Sequence, residues 1–253
     1  MGGRLGRVVL GGLLMLAAAG HAQAQAPERP AIGGIGSAAD AMIFYVAHGP
    51  ADACGPGCSD WIAAEGTVQF DTFKRLINIL DRQAGRKLPV VINARGQSSF
   101  NVAASLGRIL RDRGIDARAG ITEVEACKGK SEAECFALKR PGGPLDAREE
   151  VSGVVCDFAC VLMLAGGVHR SLPADSHVVV TGMSIRNRLA PNVSEERRVG
   201  LTALYSKQFR MYLHDMGVDE TLIDIMEQSS ADHNYVELPP SDWARLHLVT
   251  PPI

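Results

Sequence analysis

Apolar and polar positions fall into blocks whose periods predict an ordered series of elements. Residues 42–46 are an unbroken apolar run suited to a buried strand, and Cys54-Gly-Pro-Gly-Cys58 then forms a tight loop. Asp71 is placed to cap a helix whose Phe73, Leu76, Ile77 and Leu80 recur at i, i+3, i+4 and i+7. Residues 89–93 return as a strand. The turn Arg95-Gly96-Gln97 leads into a second amphipathic helix with Val102, Leu106, Ile109 and Leu110 on one face and Gly114 at its end. Strand, helix, strand, helix implies parallel strands joined by right-handed crossovers, an α/β domain.

The second half is less regular. Residues 122–150 carry charges, two cysteines and Pro141-Gly142-Gly143-Pro144, which suits a surface excursion rather than a core element. Residues 151–155 resume as a strand, 159–164 as a buried helix and 177–181 as a further strand. Ser194, with Glu195 and Glu196 behind it, starts a long helix packed through Leu201, Tyr205, Phe209, Tyr212 and Leu213 and ended by Gly217. No internal repeat is visible.

The N-terminus changes the picture. Arg4 and Arg7 precede an apolar run from Val8 to Ala19, and Ala22-Gln23-Ala24 has the small-residue pattern of a signal-peptidase site. The run is about a dozen residues, short of the roughly 20 needed to span a bilayer. Residues 1–24 are therefore expected to be a signal peptide, 25–41 a Pro/Gly/Ala-rich flexible leader, and 42–253 one domain that works in the periplasm or outside the cell. A net charge of −2 gives no basic surplus for nucleic acid, and aromatics at 5% leave few stacking platforms. No cofactor is expected.

For an exported chain, six cysteines point to disulfides before metal ligands. They fall in three close pairs, Cys54/Cys58, Cys127/Cys135 and Cys156/Cys160. Local pairing is the expectation, although six cysteines allow 15 connectivities. No CxxC doublet suggests zinc.

Three segments together resemble the Clp protease/crotonase superfamily, particularly its serine-peptidase branch. Leu88-Pro-Val-Val-Ile-Asn-Ala-Arg-Gly96 looks like the family strand that ends in an Asn-Ser-Pro-Gly-Gly turn. Cys156-Asp-Phe-Ala-Cys-Val-Leu-Met-Leu-Ala-Gly-Gly167 is similar to the strand-to-helix elbow that carries the nucleophilic serine. Ser171-Leu-Pro-Ala-Asp-Ser-His-Val-Val-Val-Thr181 is similar to the segment that ends in the catalytic histidine. The closing stretch Leu238-Pro-Pro-Ser-Asp-Trp-Ala-Arg-Leu-His-Leu-Val249 looks like the family's last small helix and strand. The resemblance covers about residues 60–250 and implies a spiral α/β fold with parallel strands, flanking helices and homo-oligomeric assembly.

The chemistry it implies needs a serine, a histidine that takes its proton, an acid that orients the histidine, and backbone N–H donors for the oxyanion. The serine position falls on Phe158, with Asp157 and Ala159 on either side, and the histidine position on Thr181; neither supplies nucleophile or base. The acid falls near Asp232. The donors would come from the turn at Gly96 and Gln97 and from Ala159. Losing both serine and histidine removes most of the acceleration such a site gives.

Other residues offer weak substitutes. Ser98 and Ser99 suit helix caps, His169 and His177 surface or structural roles, and His214-Asp215 and Asp232-His233 are common adjacent pairs. The expectation is a non-catalytic relative that binds a peptide or an envelope protein, with an active hydrolase using a relocated nucleophile as the alternative. A crotonase-type acyl-CoA enzyme needs no triad, but export argues against an intracellular cofactor.

Overall fold

The computed structural model describes residues 40–182, 194–231 and 235–251. The expected signal peptide, nearly all of the leader and Asp232 lie outside them.

The domain is mixed α/β, with a mostly parallel central sheet and helices around it. Its first strand, β1 (Ile43–His48), pairs antiparallel with β2 (Asp60–Gly66) across the loop closed by Cys54–Cys58. Helix α1 (Thr72–Arg82) leads to β3 (Val90–Ala94), parallel to β2. Helix α2 (Phe100–Arg113) ends on Gly114 at φ 64°, the left-handed closing residue expected, and β4 (Ala117–Ala119) extends the parallel run beside β3.

The sequence pattern misses β2. Trp61, Ile62, Ala63 and Ala64 are buried on both faces, so no period-two signal exists, and Ala and Glu are weak strand formers. Asp71 stands at the N-cap of α1, yet its carboxylate takes Arg75 Nη2 at 2.5 Å rather than a backbone N–H.

Residues 122–150, expected as a surface excursion, contribute to the sheet instead. They hold most of β5 (Ile121–Val124), then α3 (Glu132–Lys139) and β6 (Leu145–Glu150), which pairs antiparallel with β5 and parallel with β1. Phe136 and Ala147 are buried there, and Cys127–Cys135 ties the segment together. The polar sequence conceals this because β5 and β6 join the sheet through backbone pairing while burying few side chains.

Beyond it, β7 is just Val155–Cys156, shorter than the strand expected over 151–155, and Val151 is 42% exposed. Helix α4 (Phe158–Ala165) follows, every residue buried, then β8 (Arg170–Ser171) beside β4 and β9 (His177–Thr181) beside β7. The long helix α5 (Glu195–Asp215) is capped by Ser194, which accepts from Arg197 N. It buries Phe209, Tyr212 and Leu213, whereas Leu201 and Tyr205 are only half-buried. Helix α6 (Thr221–Ala231), β10 (Tyr235–Leu238) and α7 (Pro240–Arg245) complete the described chain, with β10 antiparallel to β9.

Two apolar layers sandwich the main sheet. One joins Phe44, Ile62 and Ile92 to α1, α2, α4, α5 and α6, and the other packs Tyr45, Trp61 and Val91 against Phe136. Helices α2 and α4 touch through glycines, since a Cβ on Gly166 would sit 2.0 Å from the Gly107 carbonyl oxygen. Arg111 Nη2 donates to the Ala165 and Met216 carbonyls at 3.0 Å each, and Arg170 Nη1 donates to the same two at 3.3 and 3.0 Å. These carbonyls end α4 and α5, so two guanidinium charges sit on the negative ends of two helices.

Cys54–Cys58, Cys127–Cys135 and Cys156–Cys160 are disulfides, as befits a chain that matures in an oxidising compartment. No helix among the described residues is long and apolar enough to cross a membrane.

Candidate functional site

The elbow between β7 and α4 is fixed covalently and electrostatically. Cys156, the last strand residue, is bonded to Cys160 in the first turn of the helix. Asp157 caps that helix and accepts from Cys160 N at 2.9 Å, with the Ala159 N–H also directed to its carboxylate. Burial pushes the Asp157 carboxyl above the usual range, and the two backbone donors partly offset it. Ala159, expected as an oxyanion donor, thus already has an internal anion in front of it.

Phe158 is 2% exposed. Its ring meets Phe100, the first residue of α2, edge-on at 5.0 Å, and Phe209 of α5 at 5.6 Å; Phe100 and Phe209 are 6.3 Å apart. Three rings from three helices close the elbow. Edge-to-face pairs of this kind add about 0.5–1.5 kcal/mol each beyond the area they bury.

The Gly96 turn sits just before α2, with Gly96 at φ 68°. A Cβ there would reach within 2.6 Å of Thr67 Oγ1, which itself donates to Asp40 Oδ2 at 2.6 Å. Gln97 is exposed. Ser98 is spent on structure: its Oγ accepts from Val68 N at 2.9 Å and donates to the Arg95 carbonyl at 3.1 Å. Ser99 occupies the N-cap of α2 without a side-chain cap bond. Val68 is tied to this turn through Ser98 Oγ and Ser99 N, and Phe70, two residues further on, is 81% exposed with its ring edge-on to Phe73 at 6.2 Å.

Thr181 ends β9, exposed and paired in register with Tyr235. His177 Nδ1 binds Glu237 Oε1 at 2.6 Å and His169 Nδ1 binds Asp116 Oδ1 at 2.8 Å, both at the surface. His214 lies in the last turn of α5, and Asp215 faces Arg108 at 3.4 Å. Asp232 and His233 fall outside the described residues. Among the described residues, none of His169, His177 and His214 is hydrogen-bonded to a serine.

The opposite sheet face carries polar groups that sequence reasoning passed over. Lys139 Nζ donates to Glu65 Oε1 at 2.6 Å, with side chains 9% and 5% exposed, and Tyr45 Oη donates to Glu65 Oε2 at 3.1 Å. Glu149, whose side chain is 3% exposed, has Arg118 Nε 3.0 Å from Oε1 but off the N–H axis, so neither makes a hydrogen bond. Burial pushes its carboxyl up to about 7 against the pull of Arg118.

A cleft of about 480 Å³ opens at the far end of β1 and β2, lined by His48, Asp60, Arg86 and Asp146 among others. No motif announces it. Its side chains come from separate strands, and the strand that supplies Asp60 has no periodic signal. Compared with protein-family models, curated proteins and solved structures, the chain matches none.

Proposed function

We propose that this chain is an exported Clp-protease-like domain that has lost serine-peptidase chemistry and works by binding a peptide or an envelope partner. The burial of Phe158 at the elbow carries this reading. A phenyl ring offers no nucleophile, and here it also fills the space a substrate carbonyl would need, while Asp157 holds the N–H groups that an oxyanion would seek. Thr181 at the base position cannot accept a proton near neutral pH.

The order of β2, β3 and β4, with a glycine turn after β3 and a strand-to-helix elbow packed beside it, supports the superfamily's spiral fold. The disulfides and the N-terminal signal pattern support export. Phe70, exposed two residues beyond the turn-tied Val68, supports binding there, since large aromatics anchor protein interfaces.

The test uses the mature protein in two assays. Casein and activated peptide esters should remain uncut, and peptides selected from a display library should bind with an affinity that Phe70→Ala lowers. Hydrolysis abolished by changing a single serine would overturn the reading.

A further inference from the structure

The strand registers build a second row of chemistry. His48 pairs with Asp60 across the antiparallel β1–β2 ladder and with Asp146 across the parallel β1–β6 ladder. Partners in register share a sheet face, so Asp146, His48 and Asp60 stand side by side. All three line the cleft, whose apolar wall is Val46, Pro144 and Leu145. β2 runs from Asp60 here to Gly66 near the turn, about 20 Å at strand rise, so this row is remote from the elbow.

Most of the charge in the cleft is already matched. Asp60 accepts from His48 Nδ1 at 2.6 Å and from Arg86 Nη2, and these contacts, His48 first, hold its carboxyl below the usual range. Arg86 also donates to Gln83 Oε1 at 2.8 Å. Glu125 is met by Lys128 and, at 3.2 Å, by Arg148 Nε.

What remains is one-sided. An ionised Asp60 has no proton to give, so His48 Nδ1 donates to it, and a ring holding that single proton presents Nε2 as an acceptor. The Asp146 carboxylate has no hydrogen-bond or ion-pair partner among the described residues. The groups left without a protein partner are thus an imidazole nitrogen and a carboxylate beside an aliphatic wall. Among the described residues no three His, Cys, Asp or Glu converge to hold a metal ion.

We propose that this cleft binds an alkylammonium group, presented by a lysine side chain or a free diamine, with its nitrogen on Asp146 and His48 Nε2 and its stem on Leu145 and Pro144. An anion would find Arg86 occupied, and a neutral alcohol would leave the Asp146 charge unmatched. The assignment is independent of the elbow.

The experiment follows the His48 ring signals by NMR while the full mature protein is titrated with cadaverine, N-acetyl-lysine amide, pentanediol or glutarate. Saturable shifts are expected with the two ammonium compounds only, and the tighter of the two identifies the source. Asp146→Asn should weaken that binding about tenfold, as loss of a single charge-assisted contact does, whereas Asp215→Asn on α5 should leave it unchanged. Equal binding by Asp146→Asn, equal binding of pentanediol, or no saturable shift with either ammonium compound would overturn the proposal. The His48 spectrum itself reports that the variant is folded.

Discussion

The ring of Phe158 stands edge-on to that of Phe209, 86° between planes and 5.6 Å between centroids, so the helix that begins the elbow is locked to the long helix α5. Phe158 therefore acts as a core residue in a position where the resemblance implies a nucleophile.

Truncating that ring should be costly. Phe158→Ala should destabilise the domain by about 3–5 kcal/mol, the usual range for a buried phenylalanine. A double-mutant cycle with Phe209→Leu should return a coupling of about 0.5–1.5 kcal/mol in chemical denaturation. A cost below about 1 kcal/mol would show that the elbow is loosely filled.

Installing the two missing residues is the complementary experiment. Under the proposed superfamily reading, Phe158→Ser with Thr181→His should create weak esterase activity. Either change alone should not, because nucleophile and base act as a unit. Stopped assays on an activated ester, normalised to folded protein, separate these cases.

The Glu65–Lys139 pair should behave as a buried ion pair whose halves depend on one another. Lys139→Met leaves the Glu65 carboxylate uncompensated beside Tyr45 and should cost about 3–5 kcal/mol. Adding Glu65→Gln should recover much of that loss, read by urea denaturation at neutral pH.

Glu149 should tilt the pH dependence of stability. Its carboxyl, pushed up to about 7 by burial, favours the protonated form in the folded state, whereas an unfolded glutamate titrates near 4.3. Its contribution is therefore fully present below that unfolded value and is lost as pH rises through about 7. Relative to Glu149→Gln, the wild type should lose on the order of 1–3 kcal/mol between pH 4 and pH 8. Parallel stability curves for the two proteins across that span would rule out the effect.

The three disulfides should yield to reductant in order of exposure. Cys156 and Cys160 are fully buried, while Cys58, Cys127 and Cys135 are partly accessible. Alkylation after mild reduction of the folded protein should mark the Cys54–Cys58 and Cys127–Cys135 pairs first, with Cys156 and Cys160 modified only on unfolding.

How much of this was legible in the sequence depended on whether the signal was local. The face of α2 and its Gly114 stop were readable, because period and cap chemistry lie within one segment. So was the start of α5 at Ser194. β2 was not, because a strand buried on both faces has no alternation, and Glu65 within it suggests surface until Lys139, 74 positions away, is seen to neutralise it. The 122–150 segment failed for a related reason. β6 joins the sheet beside β1, a strand a hundred residues earlier, through backbone pairing that its polar side chains do not reveal. The row of Asp146, His48 and Asp60 exists only in the registers of three strands. At the elbow, the identity of Phe158 was legible, but its three-helix contacts were not.

Treatment of the folded protein with a serine-directed fluorophosphonate, followed by intact mass and peptide mapping, bears most directly on the proposed loss of peptidase chemistry. The chain should keep its unmodified mass under conditions that label an active serine hydrolase completely. A stoichiometric adduct on one serine, absent from the unfolded protein, would contradict the account.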